Sequence, residues 1–313
     1  GAGESEPASA PRVLPPSSSL SFGHNSSLPT LTPTYYGLAL KNVTAMRPPQ
    51  ASVLRNVSIS ITSPGLTIVA GKNGSGKTTL LLTVLEEMLI NNVLASAMSP
   101  NNAIVSLGGS VLTFPQNLSI AYCGHEPWII NATAKQNILL GSRLSFQHLN
   151  SSKSSEYSRQ GLGGCSMMES ETIREMESSI DEELYAMAVS ACALTDDFAA
   201  WSAGDNTVIG ERGITISGGQ KHRLALARAI YSRAKLVCLD SSLSALDASV
   251  SAHVFSKAIE VIAKDRIVLM VTHQPHFFAS AQRIIILDDG MVRFDGDYGD
   301  LLQGGLDVEQ FLV

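Results

Sequence analysis

The sequence predicts an α/β fold: a largely parallel sheet flanked by helices, with a second, smaller antiparallel β layer near its start. Three observations carry this. Short apolar runs (66–70, 236–239 and 267–271) alternate with helical patterns, as in strand–helix–strand units. Two earlier stretches, 37–45 and 53–61, alternate polar and apolar residues in strand fashion. A glycine-rich run stands between the first buried strand and the first helix.

Taken in order, residues 1–34 are rich in Ser, Pro and Ala and read as a flexible linker or tail, with order beginning near Tyr35. Residues 35–313 form one large domain. Within it, 37–45 and 53–61 are strands separated by an Arg-Pro-Pro-Gln loop, and Leu66 to Ala70 is a short buried strand. Thr78 to Ile90 reads as a helix, because Leu80, Leu81, Val84, Leu85, Met88 and Leu89 share one broad face. Residues 142–180 are polar and rich in Gly and Ser and read as a mobile insertion. A helix follows from about Asp181, and another spans Gln220 to Ser232. Ile284–Leu287 and Met291–Phe294 flank Asp289-Gly290, a hairpin signal.

Composition narrows the function. The 313 residues are 44% hydrophobic with a net charge of -6 and no basic block, which argues against nucleic acid as the main partner. No apolar run reaches about 18 residues, so the chain is not expected to span a membrane itself; no signal peptide is expected either. Cys123, Cys165, Cys192 and Cys238 form no CxxC pair and read as free thiols in a reducing compartment. One Asn-x-Ser/Thr sequon, at Asn73, falls inside the glycine-rich run. A glycan there would destroy that loop, so the sequons read as chance.

That run is Gly71-Lys72-Asn73-Gly74-Ser75-Gly76-Lys77-Thr78, followed by Thr79, and it fits the phosphate-binding pattern GxxxxGK[ST]. Glycines let the backbone curl so that N–H groups face phosphate oxygens. Lys77 reaches the β- and γ-phosphates, and the Thr78 hydroxyl ligates Mg2+. The helix that follows brings its positive end to the same place.

Further on, Ser217 N-caps a helix opened by Gly218, Gly219 and Gln220, a second terminus able to meet an anion. One triphosphate has no need of two such ends, so this one is expected to face another molecule's nucleotide. Leu236 to Leu239 is an apolar strand ending in Asp240, placed to hold magnesium. Ser244-Ala245-Leu246-Asp247 follows in a loop, and the strand through Val271 ends at His273, at the edge where a γ-phosphate would sit.

In this order the motifs resemble those of an ABC-transporter nucleotide-binding domain: Walker A, the signature, Walker B, the D-loop and the H-loop. Trp128-Ile129-Ile130-Asn131-Ala132-Thr133 with Asn137-Ile138-Leu139-Leu140-Gly141 is similar to the first nucleotide-binding domain of C-subfamily, multidrug-resistance-associated exporters. The resemblance implies a P-loop NTPase core, an antiparallel β subdomain and an α-helical subdomain carrying the signature. It also implies ATP and Mg2+ as ligands, a second nucleotide-binding domain as head-to-tail partner, and transmembrane domains of the same transporter abutting residues 126–141. The location it implies is the cytoplasmic face of a membrane.

Three departures from the family pattern stand out. Ser241 follows Asp240 where the family carries a catalytic carboxylate, and a neutral hydroxyl is no carboxylate base. His125 stands at the Q-loop glutamine. Met46 and Arg47 lie near the adenine-stacking aromatic. The breaks fall on the hydrolytic parts, so the expectation is a degenerate site whose signature completes the partner's. A soluble ABC ATPase of translation or repair, and a purely regulatory ATP-binding module, stay open as alternatives.

Overall fold

The computed structural model describes residues 37–46, 52–94, 102–107, 110–115, 118–144, 180–210 and 214–305, all within the unit that runs from Tyr35 to Val313. The expected linker at 1–34, Arg47 and the 145–179 part of the expected insertion lie outside the described residues.

Two sheets organise the fold. The first is a four-stranded antiparallel sheet in the order β2-β1-β5-β4, built from β1 (Leu38–Met46), β2 (Ser52–Ile61), β4 (Asn102–Leu107) and β5 (Ser110–Pro115). The second has six strands: β3 (Gly65–Ala70), β6 (Ile120–Cys123), β9 (Leu236–Asp240), β10 (Ile267–Val271), β11 (Arg283–Asp288) and β12 (Met291–Gly296). Their order is β12-β11-β3-β10-β9-β6. Every neighbouring pair is parallel except the β11–β12 hairpin. A small two-stranded ladder joins β7 (Ala132–Thr133) to β8 (Val208–Ile209).

The central strands read as unbroken apolar runs because both of their faces are covered. Ile68, Val237, Leu239, Val268, Met270, Ile284 and Ile286 point into one core. Their neighbours Val69, Leu236, Cys238, Leu269, Val271, Ile285 and Leu287 point into the other. That second core sits under the antiparallel sheet and takes Leu80, Leu81 and Val84 from α1 (Lys77–Leu94). The opposite core takes α2 (Ala134–Leu139), α4 (Glu182–Ala191) and α6 (Gly218–Tyr231). Burying each such Leu or Ile side chain is worth about 1.5–3 kcal/mol, so the two-face pattern fixes the register of the sheet.

Between α2 and α4 lies a short helix α3 (Gly141–Leu144), which takes in residues 142–144 of the expected insertion. After α4, α5 (Thr195–Ala200) leads on to β8. Helix α7 (Ala248–Val254) continues through a π-turn at Phe255–Ile259, and α8 (Tyr298–Gln303) closes the described chain. The hairpin β4–β5, paired from Asn102↔Pro115 to Leu107↔Ser110, completes the antiparallel layer. Among the described residues no helix is long and apolar enough to cross a membrane.

Register then sets the site. Val271 pairs with both Val69 and Asp240, and Cys123 pairs with Leu239. The carboxyl ends of β3, β6, β9 and β10 therefore align. The loops that leave them, after Ala70, Cys123, Asp240 and Val271, open onto the same edge, where open parallel sheets place their ligands.

Candidate nucleotide site

A cleft of about 560 Å³ lies at that edge. Asn73, Gly74, Gly76, Lys77, Thr78 and Thr79 form its floor. His125, Asp240, Ser241 and His273 reach it from three other strand ends. Ser244, the first residue of the expected D-loop, lines it as well, as does Val53, which the sequence motifs do not mark. Gly71 and Ser75 are buried in the loop and are not among the cleft-lining residues. Gly71 has φ +145, and a Cβ there would stand 2.1 Å from the Leu287 carbonyl oxygen, so only glycine turns the chain at that point.

Lys77 is held before any ligand arrives. Its Nζ donates to the carbonyl oxygens of Gly71 and Lys72, each at 2.7 Å. Burial lowers its pKa from the usual value, while the nearby Asp240 pulls in the opposite direction. Lysine has three donors, so the ammonium can brace the loop and still meet an anion.

Asp240 is 1% exposed, and its Oδ2 has no hydrogen-bond partner. A buried carboxylate oxygen without a donor is costly unless a cation meets it. That orphaned oxygen and the exposed Thr78, in the same cleft, are oxygen donors of the kind that would suit a magnesium ion. Among the described residues no group of three or more His, Cys, Asp or Glu could hold a metal unaided.

Ser241 carries φ +53, uncommon for a residue with a Cβ. Its N–H donates to the Val271 carbonyl at 3.1 Å. Its own carbonyl accepts from the Ser244 hydroxyl at 2.6 Å. The pinned backbone sets Ser241 in the cleft lining, next to Asp240.

The signature stands elsewhere: none of Ser217, Gly218, Gly219 or Gln220 lines the cleft. Helix α6 starts at Gly218 in a capping box, with the Ser217 hydroxyl accepting from the Gln220 N–H and the Gln220 side chain accepting from the Ser217 N–H. Gln220 Nε2 also donates to Asp197 at 2.7 Å, and Arg223 pairs with the same carboxylate. Gln220 is thus engaged within its own chain, whereas Gly218 is exposed with nothing within 4 Å of a built Cβ.

Two residues that the motifs passed over hold the surroundings. His222 is buried, with Nδ1 2.9 Å from the Gly218 carbonyl and Nε2 3.1 Å from the His125 carbonyl. Arg228, also buried, donates from Nε to the Asn137 carbonyl (2.7 Å), from Nη2 to Asn137 Oδ1 (2.8 Å) and from Nη1 to the Trp128 carbonyl (2.8 Å). Burial brings its pKa down to about 10. The Trp128 ring lies over this guanidinium yet is 55% exposed, whereas Leu140 is buried. Of that segment, then, Trp128 belongs to the surface and Leu140 to the core. Cys123, Cys192 and Cys238 are free and buried; burial pushes Cys123 and Cys238 up to about 12, which leaves them inert thiols. Cys165 lies outside the described residues.

Comparison with known proteins agrees with this geometry. The family described as ABC transporter matches residues 54–244. The ATP-dependent bile acid permease of Saccharomyces cerevisiae is 34% identical over 264 residues, covering 83% of this chain and 13% of its own length. ATP-binding cassette sub-family C member 4 of Homo sapiens is 32% identical over 84% of this chain and 16% of its own. The pleiotropic ABC efflux transporter of multiple drugs YBT1 of Candida glabrata is 32% identical over 86% of this chain and 14% of its own. The chain thus spans only about a seventh of the length of these relatives.

Proposed function

The chain belongs to the ABC transporter family, and on that premise we propose that it is the first nucleotide-binding domain of a C-subfamily exporter. It binds Mg-ATP in the cleft at the sheet edge. The observation that carries this is the meeting of Lys77, the orphaned Asp240 oxygen and His273 in one cleft, from three separate strand ends.

Within that site the loop from Gly71 to Thr79 holds the triphosphate through backbone N–H groups and the Lys77 charge. Thr78 and Asp240 hold the magnesium, which when bound offsets the phosphate charge. His273 meets the γ-phosphate, and His125 occupies the neighbouring wall. Attack on that phosphate needs a group to orient water and take its proton. Ser241 offers a neutral hydroxyl in that place, so turnover at this site is slow.

Ser217, Gly218, Gly219 and Gln220 serve the nucleotide of a second nucleotide-binding domain in a head-to-tail pair. The support is that they lie off their own cleft and that Gly218 is open to approach. The exposed Trp128, backed by Arg228, suits contact with transmembrane domains of the same transporter, on the cytoplasmic face of the membrane. The test is equilibrium titration with Mg-ATP: saturable binding by the wild type and its loss in Lys77→Ala support the assignment, and equal titration curves defeat it.

A further inference from the structure

The hairpin turn at Asp289-Gly290 lies well past the family-matched span, yet it touches the phosphate loop from behind. The Gly290 N–H donates to the Ser75 carbonyl at 3.2 Å, and the Gly290 carbonyl accepts from the Arg55 N–H at 2.8 Å. One residue of the turn, Gly290, is therefore gripped on both sides: its N–H is held by the loop and its C=O by β2. We infer that Asp289-Gly290 is a positioning element for nucleotide: it seats the phosphate loop so that the Gly76 N–H faces the cleft.

The peptide plane supplies the mechanism. A trans peptide points its C=O and the following N–H in opposite directions. Holding the Ser75 oxygen toward the hairpin turns the Gly76 N–H the other way, and Gly76 is a cleft-lining residue. The Ser75 N–H is itself used within the loop, donating to the Lys72 carbonyl at 3.1 Å. The hairpin thus orients one of the donors that the proposed triphosphate would meet.

The turn tolerates no side chain at its second position. Asp289 and Gly290 have φ of +47 and +75, as a primed two-residue turn requires. A Cβ on Gly290 would stand 2.3 Å from the Val53 carbonyl oxygen, and Val53 also lines the cleft. The clash is with backbone, so relief must move either the turn, which is bonded to the loop, or β2, whose Val53 carbonyl lies close behind Gly76. The Arg55–Asp289 ion pair, at 2.9 Å, is exposed on both sides, and such pairs contribute little. The seat is the Gly290 backbone, not the charge beside it.

This inference rests on the Mg-ATP reading, and the experiment separates the two. Mg-ATP is titrated into the whole chain as wild type, Gly290→Ala and Asp289→Asn, with thermal melts alongside. Amide exchange at Gly290 is followed in the wild type with and without Mg-ATP. The expected result is a folded Gly290→Ala that binds roughly tenfold more weakly, a loss of about 1.4 kcal/mol. Asp289→Asn should stay within about twofold, and exchange at Gly290 should slow when Mg-ATP is bound. A Gly290→Ala chain with a lowered melting temperature but wild-type affinity would make the turn merely structural and overturn the inference. Should that variant not fold, unchanged Gly290 exchange in Mg-ATP-saturated wild type overturns it equally. Wild type that binds no Mg-ATP at all defeats the functional reading itself.

Discussion

His222 Nε2 stands 3.1 Å from the carbonyl oxygen of His125, so the helix that begins at Gly218 is tied to the wall of the nucleotide cleft. The other ring nitrogen meets the Gly218 carbonyl at 2.9 Å. One side chain thus links the cleft to the end of the helix assigned to the partner's nucleotide.

Removing that link has a measurable cost. His222→Ala leaves two carbonyls without their ring partner and should cost about 1–3 kcal/mol of unfolding free energy. His222→Gln, which can still donate to one carbonyl, should recover part of it. Urea unfolding reads both, and an unchanged midpoint in His222→Ala would show that the contact carries no stability.

Arg228 should matter more than the tryptophan above it. Its fork makes three contacts to Asn137 and Trp128 that a lysine cannot reproduce. Arg228→Lys should therefore destabilise by on the order of 3 kcal/mol. Trp128→Ala, which removes a half-exposed cation–π contact, should cost about 0.5–1 kcal/mol. Equal losses in thermal melts would contradict this ranking.

Lys77 gives the pH dependence. Burial holds its pKa below the usual 10.5 in the folded chain. Between the lowered value and 10.5 the unfolded chain binds more protons, so folding stability rises with pH there. The desolvation cost is fully present below that window. Binding runs the other way, because the anion needs the ammonium charge. Mg-ATP affinity should start to fall on the alkaline side before pH 10.5, and in Lys77→Arg it should stay flat over the same range. Parallel profiles for the two chains would remove Lys77 from the site.

On the proposed function, position 241 limits turnover. Its φ of +53 suits aspartate or asparagine better than glutamate. Ser241→Asp should keep the wild-type melting temperature and, given a second nucleotide-binding domain, raise hydrolysis by about a hundredfold or more. Without that domain it should stay slow, because the partner's signature is missing. A similar gain in the isolated chain would contradict the head-to-tail assignment.

The core strands, the loop from Gly71 to Thr78 and the Asp289-Gly290 hairpin were legible because local chemistry dictates each. Strands covered on both faces are apolar throughout, and a primed turn needs positive φ at both positions. Hairpin β4–β5 was not read, although Gly108-Gly109 between two alternating runs is a turn signal. His222 and Arg228 could not be read, since one partner of each lies 97 and 91 residues away. A histidine inside a helix gives no sign of the loop that it will meet. Ser241 and His125 were flagged by their motifs, and register explains why they share a cleft.

The proposed function requires this chain to hold Mg-ATP while hydrolysing it only slowly. Labelled ATP and magnesium are mixed with an excess of wild-type chain, free nucleotide is removed, and the bound fraction is released and resolved. Nucleotide should be retained on the chain and recovered chiefly as intact ATP, with none retained by Lys77→Ala. Rapid conversion of the bound label to ADP, at a rate independent of chain concentration, would contradict it.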